Sequence, residues 1–310
     1  MQLTGQLITL DRTLPLVRIA DRDLRAEYAV SFSREGLKAT VGDWLELQQS
    51  SALSIPQIVS VLPRSTSLVR RLCREHPSVG TGLVDEQLLA ANFDRVIVVT
   101  ALGRKTIDLG YLERQLITAY SSGAEVSAVL NKTDISQQPI DNALAEVQAL
   151  AAGLSVLSCS AMTGSGIAEL AELCPAGSLT VFFGRSGVGK SSLINALIGS
   201  ATQVTKSIRE HDQAGRHATV ARRMVFAEQR AYFDTPGVRS IGVYQQDDGL
   251  STVFEDIGQL AGQCRFRDCK HQNEPGCAVQ SAIESGELTT RRLMSYLNLA
   301  SEVAGDDVLA

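Results

Sequence analysis

No stretch of this chain restricts its fold as tightly as Gly184-Arg185-Ser186-Gly187-Val188-Gly189-Lys190-Ser191. Three glycines let backbone N–H groups converge on anionic oxygens, at a helix start whose dipole already favours negative charge. The flanks fit this reading. Residues 179–183 (LTVFF) are an apolar, β-prone run that predicts a buried strand, and residues 191–198 (SSLINALI) carry helical periodicity. The octapeptide therefore reads as a phosphate loop, in competition with a glycine-rich turn that binds nothing. Lys190 would reach β- and γ-phosphates, the Ser191 hydroxyl would bind Mg²⁺, and Ser192 follows as the next candidate contact.

At 310 residues the chain is long enough for two or three domains, each with its own core. It contains no run of about 18 uncharged apolar residues, and its start lacks the basic-then-apolar order of a secretory signal. A cytoplasmic protein with no membrane segment is expected. A formal net charge of −5 gives no global field for nucleic acid, so any RNA contact must come from local basic patches. Three of the six cysteines fall together with a histidine near the C-terminus, a clustering that points to metal rather than disulfides.

Residues 1–75 hold short β-prone segments at 4–10, 16–20, 27–33 and 44–47, punctuated by Gly36, Gly42 and Pro56, the texture of a small OB-type barrel. Arg64, Arg70, Arg71 and Arg74 follow; nucleic-acid contact and a solvated charged helix face explain this basic run equally well. Gly80-Thr81-Gly82 reads as a linker. Residues 95–101 and 125–130 are continuous apolar runs suited to parallel strands covered on both faces, and residues 109–120 between them have helical spacing. The second run leads into Asn131-Lys132-Thr133-Asp134, at a strand end where open α/β sheets place ligand contacts. A carboxylate at Asp134 can accept from both the ring N–H and the exocyclic amine of guanine, a donor pair that adenine lacks. Taken alone, the tetrapeptide is equally a strand-to-helix cap; beside a phosphate loop it becomes specific.

A helix over 140–152 and a short strand over 154–157 come next. The small residues around Ser160 and Ala161 then suit a backbone contact to the guanine oxygen, or simply a loop and helix cap. Beyond the phosphate loop, residues 200–223 are polar and aperiodic, and contain Gly215-Arg216-His217-Ala218-Thr219, which offers an imidazole and a hydroxyl for Mg²⁺. Asp234-Thr235-Pro236-Gly237 places an aspartate at a strand end and a glycine three residues later. Asp234 would hold Mg²⁺, and the Gly237 N–H would meet the γ-phosphate. Near the C-terminus, Cys264, Cys269, His271 and Cys277 make a closed tetrahedral Zn²⁺ set with no position for catalytic water, and residues 287–299 read as an amphipathic helix.

These motifs are the parts of a Ras-like GTPase in a changed order: guanine contacts first, phosphate loop next, switch loops last. The chain looks circularly permuted, and 167–178 is long enough to join the old termini. A barrel, a permuted GTPase unit and a Cys-x4-Cys-x-His-x5-Cys module in that sequence resemble the RsgA (YjeQ) family. Val41-Gly42-Asp43-Trp44, Leu62-Pro63-Arg64-Ser65-Thr66 and the stretch from Cys269 to Cys277 carry the same resemblance. It implies a cytoplasmic GTPase that binds the small ribosomal subunit and its rRNA late in maturation, is stimulated by it, and leaves after hydrolysis. It also points to His217 as the group that orients the attacking water, because residue 238 is Val where Ras-type enzymes place Gln. The family's switch loop reads Gly-x-His-Thr-Thr-Thr or similar, so here Thr219 alone remains for Mg²⁺.

The expectation is thus a multidomain α/β monomer. It comprises an OB-type barrel (1–78), a circularly permuted P-loop GTPase with a parallel sheet and helices on both faces (79–243), and a zinc-binding helical and loop domain (244–310). Lys190, Thr219 and His217 would carry catalysis with Mg²⁺·GTP bound, mainly by positioning and electrostatics, and turnover without a partner should be slow. A P-loop ATPase, a nucleotide-stabilised RNA-binding scaffold and a zinc hydrolase are the alternatives; the last lacks an open metal position.

Overall fold

A computed structural model describes residues 2–11, 14–49, 55–72, 85–103, 106–199, 223–227, 229–235, 237 and 248–304. Alternation of apolar residues first builds a six-stranded N-terminal sheet from β1 (Gln2–Thr9), β2 (Leu16–Ile19), β3 (Arg22–Arg25), β4 (Glu27–Tyr28), β5 (Trp44–Gln48) and β6 (Gln57–Val61). Its order is β3-β2-β1-β5-β6-β4. The two ends of that order are consecutive in the chain. At Ala26 they turn into each other: its N–H donates to Pro15 O at 3.0 Å, and Glu27 N–H donates to Pro56 O at 2.9 Å. Leu7, Val17, Leu45, Leu47 and Ile58 fill the inside.

Residues 27–33, expected as one strand, divide instead into β4 and a short helix, Val30–Arg34. The helix inserts Phe32 into the barrel core beside Tyr28, with ring centroids 5.1 Å apart, so burial of one large ring overrides the local β preference. The basic run resolves differently from a helix face. Arg64 pairs with the fully buried Asp43 at 2.7 Å, and positions 70 and 71 lie on a strand. That strand, β7 (Ser67–Leu72), pairs with β8 (Asp85–Ala91) as an antiparallel ribbon. Arg74 and the expected linker at 80–82 lie outside the described residues.

The second six-stranded sheet is formed by β9 (Arg95–Ala101), β10 (Glu125–Asn131), β11 (Ser155–Ser158), β12 (Leu179–Phe183), β13 (Met224–Ala227) and β14 (Arg230–Asp234). Its order is β11-β10-β9-β12-β14-β13, parallel except for β13 at the edge. Side chains alternate faces along each strand. Val96, Val98, Ala128, Leu130, Val181, Phe183 and Phe233 point into one core, against helices Leu109–Tyr120 and Ile140–Gln148. Ile97, Val99, Val129, Phe182 and Tyr232 point into the other, against helices Ile167–Glu172 and Lys190–Ile198. Both faces are covered, which is why these strands read as unbroken apolar runs. The chain winds outward through β9, β10 and β11, then returns to β12 on the other side of β9. The strand order therefore reverses between β9 and β12, and a crevice opens at their carboxyl ends.

The C-terminal part is helical: Gly249–Val253, Glu255–Ala261, Ala278–Ser285 and Thr290–Ala304. The last begins three residues later than its periodicity suggests, because Gly286 ends the preceding helix in a left-handed turn at φ +81°. No described helix is long and apolar enough to cross a membrane.

Candidate nucleotide site and metal centre

The crevice at the sheet's switch point is where the sequence motifs converge. Gly184 follows β12 so closely beside β9 that a Cβ there would sit 2.3 Å from Val99 O. Gly189 has φ +98°, caps helix Lys190–Ile198, and leaves no room for a side chain: a Cβ would lie 2.3 Å from Asn131 Nδ2. The close approach is used. Asn131 Nδ2 donates to Val188 O at 2.9 Å, and Lys132 Nζ donates to Gly187 O at 2.6 Å. The end of β10 and the phosphate loop are therefore stitched together through two consecutive carbonyls of the loop.

On the other side of Asn131, its Oδ1 accepts from the Ala161 N–H at 3.2 Å. Ser160 Oγ donates to Asp134 Oδ1 at 2.6 Å, which fixes the carboxylate's orientation. The Ser160 N–H, one of the two amides expected to face a guanine oxygen, donates instead to Ser165 O at 2.9 Å. Asn131, Lys132, Asp134, Ser160 and Ala161 thus form one continuous wall beside residues 184–192.

Lys190 is almost fully buried, its Nζ held by Gly184 O at 3.0 Å and Arg185 O at 3.1 Å. Burial lowers its pKa, opposed by the nearby Asp234 charge. Burial likewise raises the Asp234 carboxyl, opposed by the Ser191 hydrogen bond and by Lys190. Both groups are displaced toward neutrality, so desolvation outweighs their mutual attraction. Ser191 Oγ donates to Asp234 Oδ2, while Oδ1 is buried without a hydrogen-bond partner among the described residues. A hydroxyl beside a carboxylate with an unused buried oxygen suits a hard, oxygen-loving cation. Thr235, next along, locks the strand end by donating Oγ1–H to Phe182 O at 2.7 Å. Gly237 lies against the phosphate loop, where a Cβ would come within 2.5 Å of Ser186 Cα. His217 and Thr219 lie outside the described residues.

The four C-terminal ligand candidates also meet. Sulfur and imidazole atoms of Cys264, Cys269, His271 and Cys277 all lie within 4.8 Å of one another. Cys264 Sγ is 3.9 Å from Cys277 Sγ, and His271 Nδ1 is 3.6 and 3.5 Å from those two sulfurs. A tetrahedron with Zn–S bonds of about 2.3 Å has edges of about 3.8 Å, so the spacing and the soft donor set fit a metal. The support around this set is not apparent from ligand spacing. Glu274 accepts from the N–H groups of Lys270, Gln272 and Asn273 at 2.9, 2.9 and 3.1 Å, and Gln280 Nε2 donates to His271 O at 2.6 Å. Those amide bonds hold the Glu274 carboxyl down at about 2.

The family model of the RsgA GTPase matches residues 61–244. The small ribosomal subunit biogenesis GTPase RsgA of Streptomyces coelicolor is 38% identical over 305 residues, covering 97% of this chain and 80% of that protein. RsgA 2 of Vibrio vulnificus is 40% identical over 268 residues, covering 86% and 73%. Among solved structures, YjeQ from Thermotoga maritima has a TM-score of 0.71 at 25% identity, covering 98% of this chain and 99% of that one. YloQ, a circularly permuted GTPase, has a TM-score of 0.66 at 22% identity, covering 100% and 98%, a likeness of fold.

Proposed function

The chain belongs to the RsgA GTPase family and hydrolyses GTP; from that premise we propose that it acts in maturation of the small ribosomal subunit. On this reading it is a cytoplasmic monomer. It binds the subunit and its rRNA through the barrel and the C-terminal module, is stimulated by the subunit, and leaves after hydrolysis. The supporting observation is the pair of bonds from Asn131 and Lys132 to Val188 O and Gly187 O. They hold a base-recognition segment at a fixed distance from a phosphate cradle, as recognition of one nucleotide requires.

In the proposed complex, Asp134 accepts from the ring N–H and amine of guanine, steadied by Ser160, with Asn131 and Ala161 completing the wall. Adenine offers neither of those donors, so against it the carboxylate would keep only its Ser160 bond, and the loss of both base contacts discriminates between the two purines. Phosphates lie on the amides of Gly184, Arg185, Ser186, Gly187, Val188, Gly189, Lys190, Ser191 and Ser192, at the N-terminus of helix Lys190–Ile198. Ser191 and Asp234 would hold Mg²⁺ with Thr219, and the ion would neutralise charge on the β- and γ-oxygens. Lys190 supplies a fixed positive charge, the Gly237 N–H meets the γ-phosphate, and His217 orients the attacking water. Cys264, Cys269, His271 and Cys277 would hold a structural Zn²⁺ that fixes the module's loop.

GTP hydrolysis measured alone, with purified small subunits and with large subunits, at two salt concentrations, tests the ribosomal role. Small subunits should raise turnover, and the effect should shrink as salt rises. Turnover indifferent to small subunits at both salts would remove that role while leaving the GTPase.

A further inference from the structure

One carboxylate in this chain serves two elements at once. Asp108 is the N-cap of helix Leu109–Tyr120, its Oδ1 accepting from the Tyr111 N–H at 3.0 Å. Its Oδ2 accepts from Arg185 Nη1 at 3.4 Å. Arg185 also stacks over the Tyr111 ring, with its guanidinium carbon 3.8 Å from the centroid. The second residue of the phosphate loop is therefore tethered, by charge and by stacking, to the first turn of one helix.

The same helix, whose apolar side packs on the central sheet, is also fixed to the C-terminal module. Glu113 is fully buried and accepts from Arg291 and Arg292 at 3.3 Å each, and from the Ser295 hydroxyl. Arg292 reaches on to Asp256 at 3.0 Å and Val253 O at 2.6 Å, and lies over the Phe254 ring. At the helix end, the Gly249 N–H donates to Ser121 Oγ at 3.1 Å, packed so tightly that a Cβ on Gly249 would meet Ile117 O at 2.1 Å. The two attachments differ in strength. The Glu113–Arg292 pair is buried, and losing either partner would strand a charge. The Asp108–Arg185 pair is about half exposed on both sides, which makes it weak and open to competition.

We propose that Asp108 is a positioning residue of the phosphate site: it holds Arg185 until a terminal phosphate competes for the guanidinium, and the helix it caps relays that release to the C-terminal module. This rests on the reading that nucleotide phosphates occupy residues 184–192. A ligand shifts such an equilibrium only through different contacts in its two states, and the γ-phosphate supplies that difference, since GDP lacks it.

Asp108→Asn is the informative variant, because asparagine caps a helix as well as aspartate but carries no charge. Affinities for GDP and for a non-hydrolysable GTP analogue are measured, along with amide hydrogen exchange of residues 290–299 in each nucleotide state. In the unsubstituted protein, exchange there should differ between the two states. Asp108→Asn should raise the ratio of analogue to GDP affinity by roughly two- to fivefold, the scale of one exposed pair, and abolish the exchange difference. A purely structural cap would leave both readouts unmoved, and that result overturns the inference, as does identical exchange in the two states of the unsubstituted protein. Failure of the unsubstituted protein to bind GDP at all would instead overturn the phosphate-site reading as well.

Discussion

Substituting Gly189 by alanine tests whether base recognition and phosphate binding share one strained position. The residue sits at φ +98°, and its missing Cβ leaves the space that Asn131 Nδ2 occupies. Holding alanine in a left-handed conformation costs about 1–2 kcal/mol, and losing the Asn131 bond to Val188 O removes about 0.5–1.5 kcal/mol more. The free loop can relax and the nucleotide-bound loop cannot, so the cost appears in binding. Gly189→Ala should weaken GDP between about tenfold and a few hundredfold. Gly187 supplies the control, being left-handed at φ +82° but facing open space. Gly187→Ala carries only the backbone cost, about five- to thirtyfold. Titration with a fluorescent guanine nucleotide measures both. In an Asn131→Ala background the two glycine variants should differ no longer, since the contact that separates them is gone. Equal losses in the presence of Asn131, or a gap that persists without it, would refute the reasoning.

Two further outcomes follow from buried charge and metal. The Asp234 carboxyl is raised above its ordinary value of 3.8. Stability linked to a raised group is complete below the unfolded value and lost as pH rises through the folded one. Asp234→Asn should therefore raise the Tm of the nucleotide-free protein near neutral pH, with the gain fading toward pH 4 or below, while GTP hydrolysis falls; a gain independent of pH would contradict this. Elemental analysis should find one metal ion per chain and none in Cys277→Ser, and a chelator should lower Tm in the first protein but not the second. A metal-free protein that melts unchanged would rule out a structural role for the cluster.

The central sheet was legible because its signals are local. The unbroken run at β12, the 3.6-residue period of helix Leu109–Tyr120 and the glycine spacing from 184 to 189 each depend on neighbours in sequence. Ligand spacing likewise located the Cys and His cluster. Arg64 shows what charge alone conceals: its sign was readable, but its partner Asp43, 21 positions away, was not, so an ion pair resembled a nucleic-acid contact. The same holds for Glu113 and Arg292, which meet across 179 positions without any local pattern to announce it. The ribbon of β7 and β8 was hidden because its strands pair with each other rather than with the barrel. The left-handed backbone of Lys132 was also unreadable, although it lies between Asn131 and Asp134 and turns the chain there.

The most direct test of guanine recognition is the affinity of Asp134→Asn for GDP and for xanthosine diphosphate, whose base carries a carbonyl where guanine carries the amine. An asparagine amide can donate to that carbonyl but cannot accept as a carboxylate does. Two lost charge-assisted bonds, at about 1.5–3 kcal/mol each, should weaken GDP by roughly a hundredfold or more and make xanthosine diphosphate the preferred ligand. Unchanged affinity for GDP in this variant would contradict the account, because the carboxylate held by Ser160 would then not be reading the base.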